Sequence, residues 1–325
     1  MTAKLLRRPE LGAAMGLAAV IAFFAVSAQN SGMFSGLGIL SILRVSAELA
    51  ILAVPVALLM IGGDFDLSLG SMVAFSGMVL ALGMHVLGLT LASALLLAGL
   101  IAALLGALNG WLVVRTGLPS FIVTLASMFV LRGLTLGGTR ALTGRTALTG
   151  LKPLFADDPV AAWLGAGGFA ASLLWALGVL VAAAFVLHRT PFGNWACAVG
   201  GDAEAAASVG VPVARVKIIL FTATALAAFL VAALQVVETG SADTNRGLRD
   251  EFEAIIAAVI GGTLLSGGHG TVIGAALGAL LFGVVQIGIF HTGADTDWFE
   301  LFLGLMLLAA VVFNETFRRR VLDAR

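Results

Sequence analysis

Two short stretches hold most of the residues whose types and spacing could do chemistry. The first is Gly62-Gly63-Asp64-Phe65-Asp66-Leu67-Ser68-Leu69-Gly70, where paired glycines break a helix and two carboxylates stand beside a hydroxyl. Between membrane spans such carboxylates are costly unless they face water or partners. Gly63, Asp64, Asp66 and Ser68 therefore read in either of two ways. They line a polar route for a hydroxylated solute, or they form a tight surface loop in which Asp66 or Ser68 caps the next helix. A partial echo, Ile260-Gly261-Gly262-Thr263-Leu264-Leu265-Ser266-Gly267-Gly268-His269-Gly270, adds Gly262, Thr263 and Ser266 to the candidate route. The two stretches suggest an internal repeat, although a chain with 41 glycines also produces such echoes by coincidence.

The second stretch is Gly200-Gly201-Asp202-Ala203-Glu204-Ala205-Ala206-Ala207-Ser208-Val209-Gly210, followed by Val211-Pro212. Asp202 is a good N-cap, Glu204 suits the positive end of the helix dipole, and Gly210 with Pro212 ends the element. Residues 203–209 make about two turns, roughly 10 Å long, far too short to cross a bilayer. Seated small residues of this kind make a knob that another protein can hold.

Catalytic patterns are absent. A phosphate-binding loop needs Gly-Lys-Ser/Thr, and none of Lys4, Lys152 and Lys217 follows a glycine. Neither His-Glu-x-x-His nor Gly-x-Ser-x-Gly occurs, and His85, His188, His269 and His291 lack metal-ligand spacing. The single cysteine, Cys197, excludes an intrachain disulfide framework and a multi-cysteine metal site. No cofactor or metal is expected in this chain.

The elements that must carry these stretches are apolar spans. Of 325 residues 60% are hydrophobic and 11% charged, more apolar side chain than a soluble fold of this size can hide. Runs of about twenty apolar residues recur along the chain. The expected spans cover 11–28, 45–61, 67–87, 90–114, 120–137, 168–187, 213–237, a run at 254–265 too short for a comfortable full span, 271–290 and 298–313. The fold class is thus all-α polytopic, with about ten transmembrane or re-entrant helices in one domain over 1–325. Arg44 and Glu48 share a helix face and should pair, and Arg132, late in its expected span, should snorkel outward.

Ten helices put both termini on one side. That side collects Lys4, Arg7, Arg8, Arg115, Arg189, Arg215, Lys217, Arg318, Arg319, Arg320 and Arg325, eleven basic residues against seven on the other, so the termini are expected in the cytoplasm. The segment 188–212 with its short helix is then cytoplasmic, and the loops near 138–160 and 238–253 face outward. On this count the two glycine stretches are parallel copies. The net charge of zero and the scattered basic residues give no sign of nucleic-acid binding.

Four stretches together carry a resemblance: Gly62 to Gly70; Pro119-Ser120-Phe121-Ile122-Val123-Thr124-Leu125; Val199-Gly200-Gly201-Asp202-Ala203-Glu204-Ala205-Ala206; and Ala258 through Val272. With them the chain resembles the membrane-spanning permease of bacterial ABC importers for simple sugars, of the ribose, xylose and galactose type. The family's usual glycine–aspartate motif reads Gly-Gly-Ile-Asp-Leu-Ser; here Asp64-Phe65 makes it one residue longer, so Asp66 matches the family aspartate. The resemblance implies an inner-membrane permease working with a cytoplasmic ABC ATPase that binds ATP and Mg, a periplasmic sugar-binding protein, and a second permease copy or paralogue. It also implies that Gly201, Asp202, Glu204, Ala205, Ala206 and Gly210 belong to a coupling helix docked on the ATPase. The residues alone leave two rivals, a gradient-driven secondary transporter using Glu48 or Asp66 to carry protons and a membrane scaffold that transports nothing.

Overall fold

The computed structural model describes residues 9–29, 31–165, 170–293, and residues 298, 301, 304, 305 and 308. The basic ends of the chain and most of the expected last span fall outside the described residues. Twelve α-helices occur among the described residues: α1 (Pro9–Ser27), α2 (Gly36–Ile61), α3 (Leu69–His85), α4 (Leu91–Thr116), α5 (Ser120–Thr143), α6 (Pro159–Leu164), α7 (Ala170–Arg189), α8 (Pro191–Gly201), α9 (Ala203–Ser208), α10 (Val213–Thr239), α11 (Asp250–Ile260) and α12 (Val272–Thr292). Six of them, α2, α4, α5, α7, α10 and α12, are long and apolar enough to cross a membrane. The apolar α1 and α3 are shorter.

The middle of the bundle is built on α2 and α10. From Ala47 to Ile61 nearly every residue of α2 is buried, against α7, α10, α11 and α12. Pro55 lies inside this helix, where neighbouring helices can compensate for the hydrogen bond it removes. α4 packs closely on α10 because Gly106 and Gly110 let the backbones approach; a Cβ on Gly106 would lie 2.6 Å from that of Ala225. Gly278 of α12 meets the carbonyl of Ala257 on α11 in the same manner.

Several helices extend past their expected bounds. α2 starts at Gly36, where Ser35 caps it by accepting from the Gly38 amide, rather than at Val45. α5 continues to Thr143 instead of ending near Gly137. Arg132 therefore sits mid-helix and turns inward, its Nε donating to Ser71 Oγ at 3.2 Å, where an outward snorkel was expected. The short run is a helix of eleven residues, Asp250–Ile260, about 16 Å long and able to cross only part of a bilayer.

At one end of the bundle Ala147–Leu148 pairs antiparallel with Ala242–Asp243, joining the loops that follow α5 and α10. The glycine stretches and α8–α9 lie at the opposite end, where α2 and α11 stop and α4 gives way to α5.

Candidate functional site: two glycine junctions and a short helix

α2 and α11 end in the same way. The amides of Gly62, Gly63 and Asp64 donate to the carbonyls of Leu58, Met60 and Leu59; those of Gly261, Gly262 and Thr263 donate to Ala257, Val259 and Ala258. This is the Schellman closure, which needs a left-handed residue after the cap. Gly63 (φ 85°) and Gly262 (φ 90°) supply it without a Cβ penalty. Asp64 and Thr263 thus hold equivalent places in the two copies, and both helices run toward the same end, as parallel copies require.

Beyond Gly63 the chain stays non-helical until Leu69 and climbs along α5 and α10. The Phe65 amide donates to Ser120 Oγ and the Leu67 amide to Thr124 Oγ1, both at 3.0 Å, one turn apart on α5. Asp64 pairs with Lys217 Nζ at 2.9 Å. Asp66 reaches Thr224, seven residues or about 10 Å further along α10. The span is therefore broken, with its first part extended and its second part the helix α3.

Asp66 is 2% exposed, and both of its oxygens are used. Oδ1 accepts from the Ser68 amide at 2.8 Å and from Ser68 Oγ at 2.5 Å, and Oδ2 accepts from Thr224 Oγ1 at 3.0 Å. The chain of bonds continues outward: Asn109 Nδ2 donates to Ser68 Oγ at 3.0 Å, and Ser127 Oγ donates to Asn109 Oδ1 at 2.6 Å. A buried carboxylate is tolerable only with such partners. Here they tie the junction to α4, α5 and α10 at once.

A second interruption precedes α11. From the paired loop at the far end the chain descends to Gly247, whose α-carbon rests on the backbone of Gly70 and on Val73. α11 starts there, and Glu251 lies against Gly70, 1% exposed, with Arg132 Nη2 3.8 Å away. Another polar cluster joins α2 to α10: Glu48 accepts from Arg44 Nε at 3.4 Å and from Gln235 Nε2 at 2.8 Å, and Glu238 pairs with Arg44 at 2.5 Å.

The structure places the candidate residues as follows. Asp64, Asp66, Ser68 and Thr263 are buried, Gly262 is half-buried, and Gly63 and Ser266 are exposed. Gly63 and the segment after Gly262 are brought together; Asp66 and Ser68 lie deeper. Asp202 caps α9 as expected, accepting from the Glu204 and Ala205 amides at 3.0 and 2.9 Å. Gly210, with φ 88°, closes its far end. Only Ala206 is buried; Gly201, Asp202, Glu204, Ala205, Ala207, Ser208 and Gly210 are exposed, and Val209 projects at 79% exposure.

Sequence reasoning did not find α8, the polar chain through Asn109, Ser127 and Thr224, or the Arg132–Glu251 contact. Asn109 carried a usable signal, since an amide inside a Leu- and Ala-rich span must find a partner. α8 was hidden because its buried face, Gly193, Ala196 and Val199, is made of small residues.

Broken spans around paired glycine junctions, in a bundle with a short exposed helix beside them, define a polytopic membrane protein of the transporter class. A family model described as "Branched-chain amino acid transport system / permease component" matches residues 38–311. The ribose import permease protein RbsC of Escherichia coli is 31% identical over 92% of this chain and 92% of its own length. The fructose import permease protein FruG of Bifidobacterium longum is 31% identical over 92% and 89%, and the xylose transport system permease protein XylH of Escherichia coli 29% identical over 94% and 92%. No solved structure matches. The chain belongs to this permease-component family: it is a membrane-spanning permease subunit of an ABC importer, and this decides against the gradient-driven rival.

Proposed function

We propose that this chain is the inner-membrane permease of an ATP-driven importer for a simple sugar. The observation that carries the substrate class is that relatives named for ribose, fructose and xylose each align over more than nine-tenths of the chain. The family description names branched-chain amino acids, but the relatives whose names give a substrate are permeases for ribose, fructose and xylose. The partners are a cytoplasmic ATPase, which binds ATP and Mg, a periplasmic sugar-binding protein, and a second permease copy or a paralogue.

The expected topology has ten transmembrane or re-entrant helices and cytoplasmic termini. It puts α9 and both glycine junctions on the ATPase side, with the paired loops facing the binding protein. The exposure of α9 supports its role as the coupling helix: small side chains let it seat closely, and Val209 offers an apolar tip. The junctions act as the gate at that end. Gly63, Asp64, Asp66, Ser68, Gly262, Thr263 and Ser266 come to line the route when the two junctions part. Closed together, they leave Asp66 satisfied by its own scaffold.

The test is reconstitution in vesicles with the candidate ATPase and binding protein. ATP-dependent uptake of a pentose or hexose is expected. Uptake of leucine in place of any monosaccharide overturns the substrate class.

A further inference from the structure

Three backbone segments meet at the gate with no side chain between them. The Schellman closure of α2 uses the carbonyls of Leu58, Leu59 and Met60, which leaves the Ile61 carbonyl free at the end of the helix. It accepts from the Gly268 amide of the second junction at 2.9 Å. Gly200, in the last turn of α8, is lodged beside this bond. A Cβ on Gly200 would overlap the Ile61 oxygen and lie 2.6 Å from the Gly268 nitrogen. A Cβ on Gly63 would sit 3.2 Å from the Gly200 α-carbon, and one on Gly267 would sit 2.6 Å from the Gly200 oxygen and 2.9 Å from the Gly63 α-carbon.

One residue, Asp202, links α8 to α9 along the chain; its side chain caps α9, its amide donates to Ala198 on α8, and the two helices also pack on each other. A push on α9 is therefore delivered within two residues to Gly200. Closely packed backbone does not absorb such a displacement as a flexible side chain would; it passes the displacement on or switches arrangement.

We propose that Gly200 is a positioning residue for transport: it transmits movement of the α8–α9 unit to both glycine junctions together, through its contacts with Gly63 and Gly267 and the adjoining Gly268–Ile61 hydrogen bond. This rests on the reading of α9 as the ATPase-docking helix. The two ideas fail differently.

The experiment uses the full importer in lipid, with hydrogen exchange of the wild type and uptake by Gly200→Ala. Adding the ATPase should protect 203–209, and trapping the ATP-bound state should change exchange at 61–64 and 264–268 together. Gly200→Ala should still bind the ATPase and hydrolyse ATP, with sugar moved per ATP reduced at least about tenfold. The same change at Gly178, where a Cβ meets nothing within 4 Å, should leave transport intact. Protection of 203–209 without any change at the junctions overturns the link, and so does wild-type coupling in Gly200→Ala. If 203–209 gains no protection from the ATPase, the docking reading falls and takes this link with it. The wild-type exchange decides the matter even if Gly200→Ala does not fold.

Discussion

Lys217 Nζ stands 2.9 Å from Asp64 Oδ2 and 3.1 Å from Oδ1, joining the first glycine junction to the first turns of α10. Asp64 is 3% exposed and the Lys217 side chain 19%. Removing one partner strands the other's charge, whereas replacing both with apolar groups of similar volume is often neutral. Lys217→Met should lower stability by about 3 kcal/mol, and Lys217→Met with Asp64→Leu should recover most of it. Thermal unfolding of the purified permease reads both; equal losses in the single and double variants would show that the pair does not act as a unit.

Asp66→Ala leaves the Ser68 amide and hydroxyl without their acceptor, at about 1–3 kcal/mol for an unsatisfied buried group, while Thr224 Oγ1 keeps the Phe221 carbonyl. Asp66→Asn keeps an acceptor for Ser68 and a donor for Thr224, so it should cost less. Uptake is expected to fall in the order wild type, Asn, Ala. An Ala variant with normal sugar flux would place Asp66 outside both the gate and its support.

Glu204→Lys reverses the charge in the first turn of an exposed helix and opposes its dipole by about 0.3–1 kcal/mol, too little to unfold the bundle. Gly210→Val forces a β-branched residue to φ 88° at about 1–3 kcal/mol and distorts the exit from α9. Both should insert normally, bind the ATPase less tightly and uncouple hydrolysis from uptake, as co-purification and paired ATPase and transport assays would report. Wild-type binding and coupling in both would mean that α9 does not dock the ATPase.

Gly106→Leu should separate α4 from α10, because its side chain would start 2.6 Å from the Ala225 Cβ and 2.7 Å from the Phe221 carbonyl. Overpacking of this kind costs about 1–3 kcal/mol or more. Gly137→Leu on α5, where a Cβ meets nothing within 4 Å, should leave the melting temperature of the isolated permease unchanged.

Cys197 lies half-buried on α8, and burial pushes its thiol up from the ordinary range. Less thiolate is then present at neutral pH than in an unfolded peptide, and only thiolate reacts. Maleimide labelling of the folded protein at pH 7 should be slower than after denaturation and should accelerate as pH rises. Equal rates in both states would place the thiol in open water.

Much of the fold was legible because hydropathy reports membrane burial directly. The long apolar runs became α2, α4, α5, α7, α10 and α12, and the paired glycines of both junctions end helices where they were expected to. The cap at Asp202 and the stop at Gly210 were legible for the same reason, since both act within one turn of chain. Helix ends such as Gly36 and Thr143 were not, because α2 runs through Gly38, Ser41 and Arg44 and α5 through Gly138, Thr139 and Arg140, residues that mark span ends but do not stop a helix. Arg132 was misjudged in consequence, its depth depending on where α5 stops.

The residues alone thus determined a glycine-broken, multi-span chain with a capped two-turn helix and no chemistry of its own, because composition, caps and breaks are local. Only the tertiary structure decided where those breaks meet. Gly63, Gly200 and Gly267 lie far apart in sequence, and nothing in their own neighbourhoods records that the three backbones touch. Their contact exists because α2, α8 and α11 end together at one face of the bundle, and glycine is what allows them to meet there.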